Sequence, residues 1–338
     1  MPTWFESLTG ISEKSPEHMR SRLSLSDTKI TSAENGRTME CGSLQTPSLA
    51  ELRKETPQAP PLNSSSSRSP LPLREVVADV QDLHVDPANQ GAMFQVASQF
   101  NLLEMAAPSV TPEEGVGIYE HDKTQGPACA IAAGAGTIYR NYFARVGGKR
   151  GQSADRQINC LGEVGEALGN EDGKLWTMRN GYALATRSGL EIIADRLQSM
   201  SQTELEELRG RLRIGLQLDT EVTLEDAGHR VSQAFCSALP VSYSSHPPAL
   251  WEPFARFVLE GAYEATLRAA HLNGERTGNK TAFLTLLGGG AFGNNSSWIL
   301  DGLEHGLQVC APLNIDVAVV SYGGPNPDLK PLLNSILE

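Results

Sequence analysis

The chain has 338 residues, 40% hydrophobic and 20% charged, with a formal net charge of −12 and a pI near 5.1. That length suits two domains or one large domain with appendages, and the acid excess disfavours non-specific binding to duplex nucleic acid or to anionic membranes. Apolar stretches such as 282–287 fall far short of the ~20 residues a membrane helix needs. The opening MPTWFESLTG lacks the basic and apolar regions of a secretory signal, so a cytoplasmic location is expected. Five scattered cysteines (41, 129, 160, 236, 310) make an odd number with no CxxC and no His at ligand spacing, so neither a disulfide framework nor a metal site is expected.

Residues 1–73 hold 14 Ser, 7 Thr and 8 Pro, and their eight acids and eight bases cancel, so the negative charge belongs to the remainder. The stretch 56–72, dominated by Pro and Ser, reads as a linker. Upstream of it, Ser15-Pro16-Glu17 is a helix start, Asn35-Gly36 a turn, and Ser48 with Glu51 a capping box. These signs make 1–55 a small accessory unit, or else a disordered tail.

From 73 onward strands and helices alternate. The stretch 73–85 reads as a strand leading to a loop, and 88–105 as a helix by its apolar spacing. GVGIYEHD (115–122) is strand-like, and 127–143 reads as a buried helix beginning at Pro127. The charged stretch 191–212 reads as a pair of surface helices, and 213–224 as a strand by its alternation. A long helix is predicted over 251–273, then a buried strand 281–287, a helix 296–310 and a last strand 316–322. Such alternation predicts an α/β fold with a mostly parallel sheet.

Four segments could carry chemistry. In LLGGGAFGNNSSWIL (286–300) a strand runs through glycines into a helix start, which suits a phosphate or diphosphate through free backbone amides and the helix dipole; the bland reading is a tight turn. Asp86, Asn89, Gln90 and Gly91 read as a loop able to hold a ribose hydroxyl, or as an ordinary turn. Thr124 and Gln125 precede a Gly-Pro helix start. On the strand 213–224, Gln217, Asp219 and Glu221 would project from one face, with Glu225, Asp226 and His229 beyond, a grouping suited to general-base work at an anomeric carbon or to a solvent-facing edge. WTMRNGYALAT (176–186) offers Arg179 and Asn180 as contacts or as a turn.

Together these segments resemble macrodomains. The Gly288-Gly289-Gly290-Ala291-Phe292-Gly293-Asn294 run looks like the macrodomain loop that cradles the diphosphate of ADP-ribose, and Asn89, Gln90 and Gly91 look like the other ligand loop. FQVASQFNLLEM is similar to a segment of the poly(ADP-ribose) glycohydrolase-like branch, but Gln95-Val96-Ala97 stands where that branch has a Gln-Glu-Glu triplet. The set NQGAMFQVASQFNLLEM, TQGPACAIAAGAGTIYRNYF, WTMRNGYAL, LQLDTEVT, VSQAFCSALPV and LLGGGAFGN looks more like the MavL-type ADP-ribosyl-arginine hydrolases, over about 74–325. The resemblance implies a three-layer α/β/α macrodomain over 73–338. It implies ADP-ribose and an ADP-ribosylated protein as partners, no cofactor or metal, and hydrolysis of the N-glycosidic link to arginine. Asp219, with Glu221 and Asp226 as neighbours, best fits that family's catalytic aspartates; which of the three acts stays open. A non-catalytic ADP-ribose reader, an interaction protein without a nucleotide ligand and another nucleotide-phosphate hydrolase are the alternatives.

Overall fold

Seven segments pair into one sheet in the computed structural model, which describes residues 2–57 and 71–337. In chain order these are β1 (Ser43–Gln45), β2 (Leu73–Val77), β3 (Met93–Ala97), β4 (Gly215–Glu221), β5 (Arg230–Cys236), β6 (Thr281–Leu284) and β7 (Asp316–Ser321). Their order across the sheet is β1-β4-β5-β3-β6-β7-β2. The five strands from β5 to β2 are parallel, and β4 and β1 add antiparallel at one edge.

Helices cover both faces. On one lie α3 (Val80–Val85), α4 (Gln125–Ala132) and α5 (Gly134–Tyr142); on the other lies α7 (Pro248–Thr277), with α2 (Leu49–Glu55), α6 (Arg187–Ser199) and α8 (Ser296–Val309) packed against it. The three-layer α/β/α arrangement with a mixed, mostly parallel sheet is therefore the one expected. Alternate residues of β3 serve the two faces, as the period of a strand demands. Phe94 stacks on the buried His84 of α3 at 3.8 Å and on Phe283 at 4.7 Å, while the Gln95 amide donates to Thr266 of α7.

Several expectations are corrected. Residues 88–105 contain no helix of the expected length: a 3₁₀ turn at Pro87–Asn89 leads to β3 and then to a loop, because β3 is buried on both faces, Gln95 included, and so shows no apolar-polar alternation. Val80–Val85 is a short helix capped by Asp79, and 117–121 is 3₁₀ rather than strand. The long helix begins earlier, at Pro248, and runs through Gly274 to a left-handed cap at Gly278. The 127–143 helix is two helices broken at Ala133.

Residues 2–57 are no separable accessory unit. β1 is a strand of the main sheet, and α1 (Trp4–Thr9) packs Phe5 and Leu8 into a second core with Ala135, Ile138 and Tyr142 of α5. Arg53 of α2 reaches the buried Glu264 of α7 at 2.8 Å. Fully burying each such apolar side chain contributes roughly 1.5–3 kcal/mol, which outweighs the polar composition of the segment. Of the expected linker, residues 58–70 lie outside the described residues.

Candidate active site

All five parallel strands end at the same edge of the sheet, and a cleft opens there, where open α/β sheets bind ligands. Its narrow chamber, about 180 Å³, is walled by Ser98 and Glu104 after β3, Gly126 of α4, Ala238 after β5 and the Gly288–Phe292 stretch after β6. Asp122, Thr124, Gln125, Leu286 and Gly290 also border a wider part of about 930 Å³, which extends past Trp4, Asp79 and Tyr322.

The glycine loop is built by its neighbours. Gln95 holds its start through the Thr285 N–H at 3.2 Å, and the Tyr263 hydroxyl accepts the Leu287 N–H at 3.0 Å. Gly288 has φ +79, and a Cβ there would stand 2.4 Å from that of Ala238, so the loop passes against the β5 end only as glycine. Asn294 is buried and donates to the carbonyls of Leu239 (2.8 Å) and Gly288 (3.3 Å). The amides of Gly289 and Gly293 are consumed inside the loop. Those of Gly290, Ala291 and Phe292 meet no acceptor among the described residues, so three consecutive donors remain on the cleft wall.

Across from them α4 begins. Thr124 is its N-cap residue, and Gln125 is occupied structurally: its amide oxygen accepts from Ala97 N–H at 2.9 Å and its amide nitrogen donates to the Gln95 carbonyl at 2.7 Å. This double bond ties the helix start to the end of β3. Gly126 permits the contact, since a Cβ would fall 2.0 Å from the Ala97 oxygen and 2.4 Å from Oε2 of Glu104.

Glu104 is the residue that sequence reasoning missed. It is 4% exposed, and its Oε1 has no hydrogen-bond partner. Burial pushes its pKa well above the usual carboxyl range; the Arg140 charge opposes this and the nearby Asp122 reinforces it. Arg140 is also buried, lies over the Phe235 ring at 3.6 Å and is depressed to about 10 by burial. Among the described residues the two form no ion pair within 4 Å, and Arg140 spends its donors on the Leu102 carbonyl and Thr137, so the raised direction for Glu104 stands and its protonated form is favoured. A signal was present in the sequence: Glu104 is the one charged residue between Asp86 and Glu113. Asp122 lies at the mouth, its Oδ1 accepting the Thr124 N–H at 2.9 Å.

The loop carrying Glu104 is locked from behind. Leu102 is in the left-handed region, Gln99 accepts the Met105 N–H at 2.8 Å, and Glu104 N–H donates to the Tyr119 hydroxyl at 3.0 Å. The 176–186 motif proves to be a hairpin, Trp176–Arg179 with Tyr182–Ala185, turned by Asn180 and Gly181, both at positive φ. Its Gly181 carbonyl accepts the Phe100 N–H at 3.0 Å, and its Tyr182 hydroxyl donates to the Met105 carbonyl at 2.5 Å. Tyr182 meets Tyr243 at 5.0 Å and Phe292 at 5.3 Å, an aromatic wall to the chamber.

The expected site is thus half assembled. Thr124, Gln125, Gly288, Gly290, Ala291 and Phe292 share the cleft. Asn89, Gln90 and Gly91 do not: they precede β3 at the opposite edge, where Asn89 donates to the Leu83 carbonyl and Gly91 N–H to the Arg230 carbonyl. Nor do Asp219, Glu221 and Asp226. β4 runs antiparallel to β5, so Glu221 pairs with Arg230 at the start of β5, while the cleft lies beyond its end at Cys236. A bulge between Gln217 and Thr220 breaks the alternation, burying Gln217 and turning Asp219 toward an ion pair with Arg276. Glu221 accepts the Glu40 N–H at 2.9 Å, and Asp226 pairs with Arg37 at 2.7 Å. Among the described residues no cluster of three or more His, Cys, Asp or Glu is placed to hold a metal, and no helix is long and apolar enough to cross a membrane.

No family model matches the chain, and no curated protein does. Among solved structures it is similar to poly(ADP-ribose) glycohydrolase from Thermomonospora curvata bound to the inhibitor ADP-HPD, at 11% identity over 98% of this chain and 99% of that one, with a TM-score of 0.46. It is also similar to poly(ADP-ribose) glycohydrolase from Deinococcus radiodurans in complex with ADP-ribose, at 9% identity over 86% and 95%, with a TM-score of 0.38. With TM-scores below 0.5 these remain likenesses, and what the cleft can do rests on its own geometry.

Proposed function

We propose that the cleft belongs to a macrodomain of the poly(ADP-ribose) glycohydrolase-like kind, binds ADP-ribose and hydrolyses the N-glycosidic bond that joins it to a protein arginine. The observation that carries this reading is the pairing of three unspent amides, Gly290 to Phe292, with a buried carboxyl at Glu104, its pKa raised by burial, in one chamber. The amides and the start of α4 take the diphosphate. The wide part of the cleft has room for the adenosine, and the aromatic wall of Tyr182, Tyr243 and Phe292 packs against the sugar to be cleaved.

Cleavage then needs a proton on the departing nitrogen and a water on the anomeric carbon. Glu104 supplies the proton as the C–N bond breaks. Asp122 takes a proton from the water whose oxygen forms the new C–O bond, so free ADP-ribose and an arginine guanidinium leave and the two carboxyls exchange a proton through solvent. This moves the acid–base role from Asp219, Glu221 and Asp226 to Glu104 and Asp122.

The test is a calorimetric titration with ADP-ribose alongside release of ADP-ribose from an ADP-ribosyl-arginine protein, with ADP-ribose-1″-phosphate and NAD run beside it. Binding with release from arginine is expected. Binding without release from any substrate would leave a reader module, and no heat with ADP-ribose would end the reading.

A further inference from the structure

Among the described residues twelve arginines form ion pairs with carboxylates, as an acid-rich chain allows. The hairpin that follows α5 is different. It pairs Arg145–Val146 with Lys149–Arg150, and Arg145, Lys149 and Arg150 are exposed and form no ion pair within 4 Å among the described residues. Arg145 stands directly opposite Arg150 in the register. Like charges facing across a strand pair repel; Asp155 lies near enough to Lys149 to interact with its charge, but among the described residues no carboxylate pairs with Arg145 or Arg150.

The hairpin joins two grooves. On one side Arg150 lines a groove of about 340 Å³ with Arg20, Arg22 and the strand Leu23–Ser26, which is the edge of a small three-stranded sheet. On the other side the Arg156 side chain lies 3.5 Å from where a Cβ of Gly147 would stand, and with Arg179 it lines a groove of about 430 Å³. Arg20 and Arg22 pair only with exposed or half-exposed partners, Glu17 and Glu34. Such pairs contribute about 0–1 kcal/mol and exchange readily for a better anion.

The character of the grooves chooses between polyanions. Single-stranded nucleic acid is held by bases stacked on exposed aromatic rings, and the only aromatic residue lining either groove is Phe143, which is buried. An edge strand, by contrast, offers unpaired N–H and C=O groups to an extended peptide. We propose that this basic face docks an extended acidic segment of a partner protein, which adds as a strand along Leu23–Ser26 and sets its carboxylates against Arg20, Arg22, Arg145 and Arg150. This surface is separate from the cleft and does not depend on the ADP-ribose reading.

The experiment is fluorescence anisotropy of the full chain with a labelled twelve-residue peptide of alternating Glu and Val. The comparison probes are the same peptide with Lys for Glu, the same peptide N-methylated at alternate residues, and a twelve-nucleotide oligothymidine. The acidic peptide should bind, weaken with salt, and lose about tenfold or more with Arg145→Glu plus Arg150→Glu. Melting temperature and ADP-ribose titration should be unchanged in that variant. Arg145→Gln plus Arg150→Gln should give a smaller loss in the same direction, which keeps the test valid should the reversal disturb folding. The proposal is overturned by no binding of the acidic peptide, by binding that ignores both variants, or by tighter binding of the oligonucleotide. Equal binding of the N-methylated peptide would remove strand addition.

Discussion

Replacing Glu104 by Gln separates chemistry from folding at one position. The native side chain is 4% exposed, and burial, with the Asp122 charge, raises its pKa against the pull of Arg140, which favours the protonated form. Gln has nearly the same shape as the protonated acid, and the Glu104 N–H bond to Tyr119 is a backbone contact that survives. Its extra donor replaces an oxygen, Oε1, that has no partner now, so stability at pH 7 should change by no more than about 1 kcal/mol. Proton donation, however, is lost. General acid catalysis contributes about 10²–10⁴ in rate, equal to roughly 3–5 kcal/mol of barrier. Release of ADP-ribose from ADP-ribosyl-arginine should fall by that factor while calorimetric affinity for ADP-ribose holds. The pH behaviour adds an independent sign. The folded pKa is raised, so above the unfolded value of 4.5 the native state binds the extra proton. Stability from this group is then lost as pH rises toward the folded pKa, and the Gln variant should lack that slope in urea unfolding. Turnover within a few-fold of wild type, or a Gln variant that melts far below it at pH 7, would refute the assignment.

Two further outcomes follow from the same geometry. Gly288→Ala forces an alanine to φ +79 and a Cβ to 2.4 Å from Ala238; the left-handed conformation costs about 1–2 kcal/mol and the overpacking about 1–3, so thermal unfolding should drop measurably and ADP-ribose affinity should fall with it. His84 is held neutral by burial, its pKa pushed down to about 4, between the Val80 carbonyl and Gln233. A depressed base stabilises above the unfolded pKa and loses that stability as pH falls through the window from about 6.5 to 4. Wild type should therefore lose about 2 kcal/mol more than His84→Gln between pH 7 and pH 5 in urea titrations, and parallel curves would contradict the buried placement.

Local chemistry was legible where it acts on the chain's own neighbours. Ser15 and Ser48 cap helices as their spacing implies, Asn35-Gly36 turns, and the strand at 281, the helix at 296 and the last strand stand within a few residues of their expected bounds. The glycine loop at 288 could be read because only glycine tolerates its backbone angles and the approach of Ala238. The stretch 88–105 misled, since Met93–Ala97 is buried from both sides, with Gln95 among its buried residues, and such a strand has no exposed polar face to give a period of two.

Sequence by itself determined the alternation of elements, the helix caps and the presence of a loop able to grip an anion, all set by interactions within a few residues. Tertiary structure decided which edge of the sheet each loop faces. The antiparallel β4 carries Asp219 and Glu221 away from the cleft, and the bulge undoes their shared face. Glu104 owes its raised pKa to burial and to the charge of Asp122, which lies 18 positions away in the chain. Strand direction and dielectric surroundings are properties of the packed molecule, because both depend on what other segments remove from water.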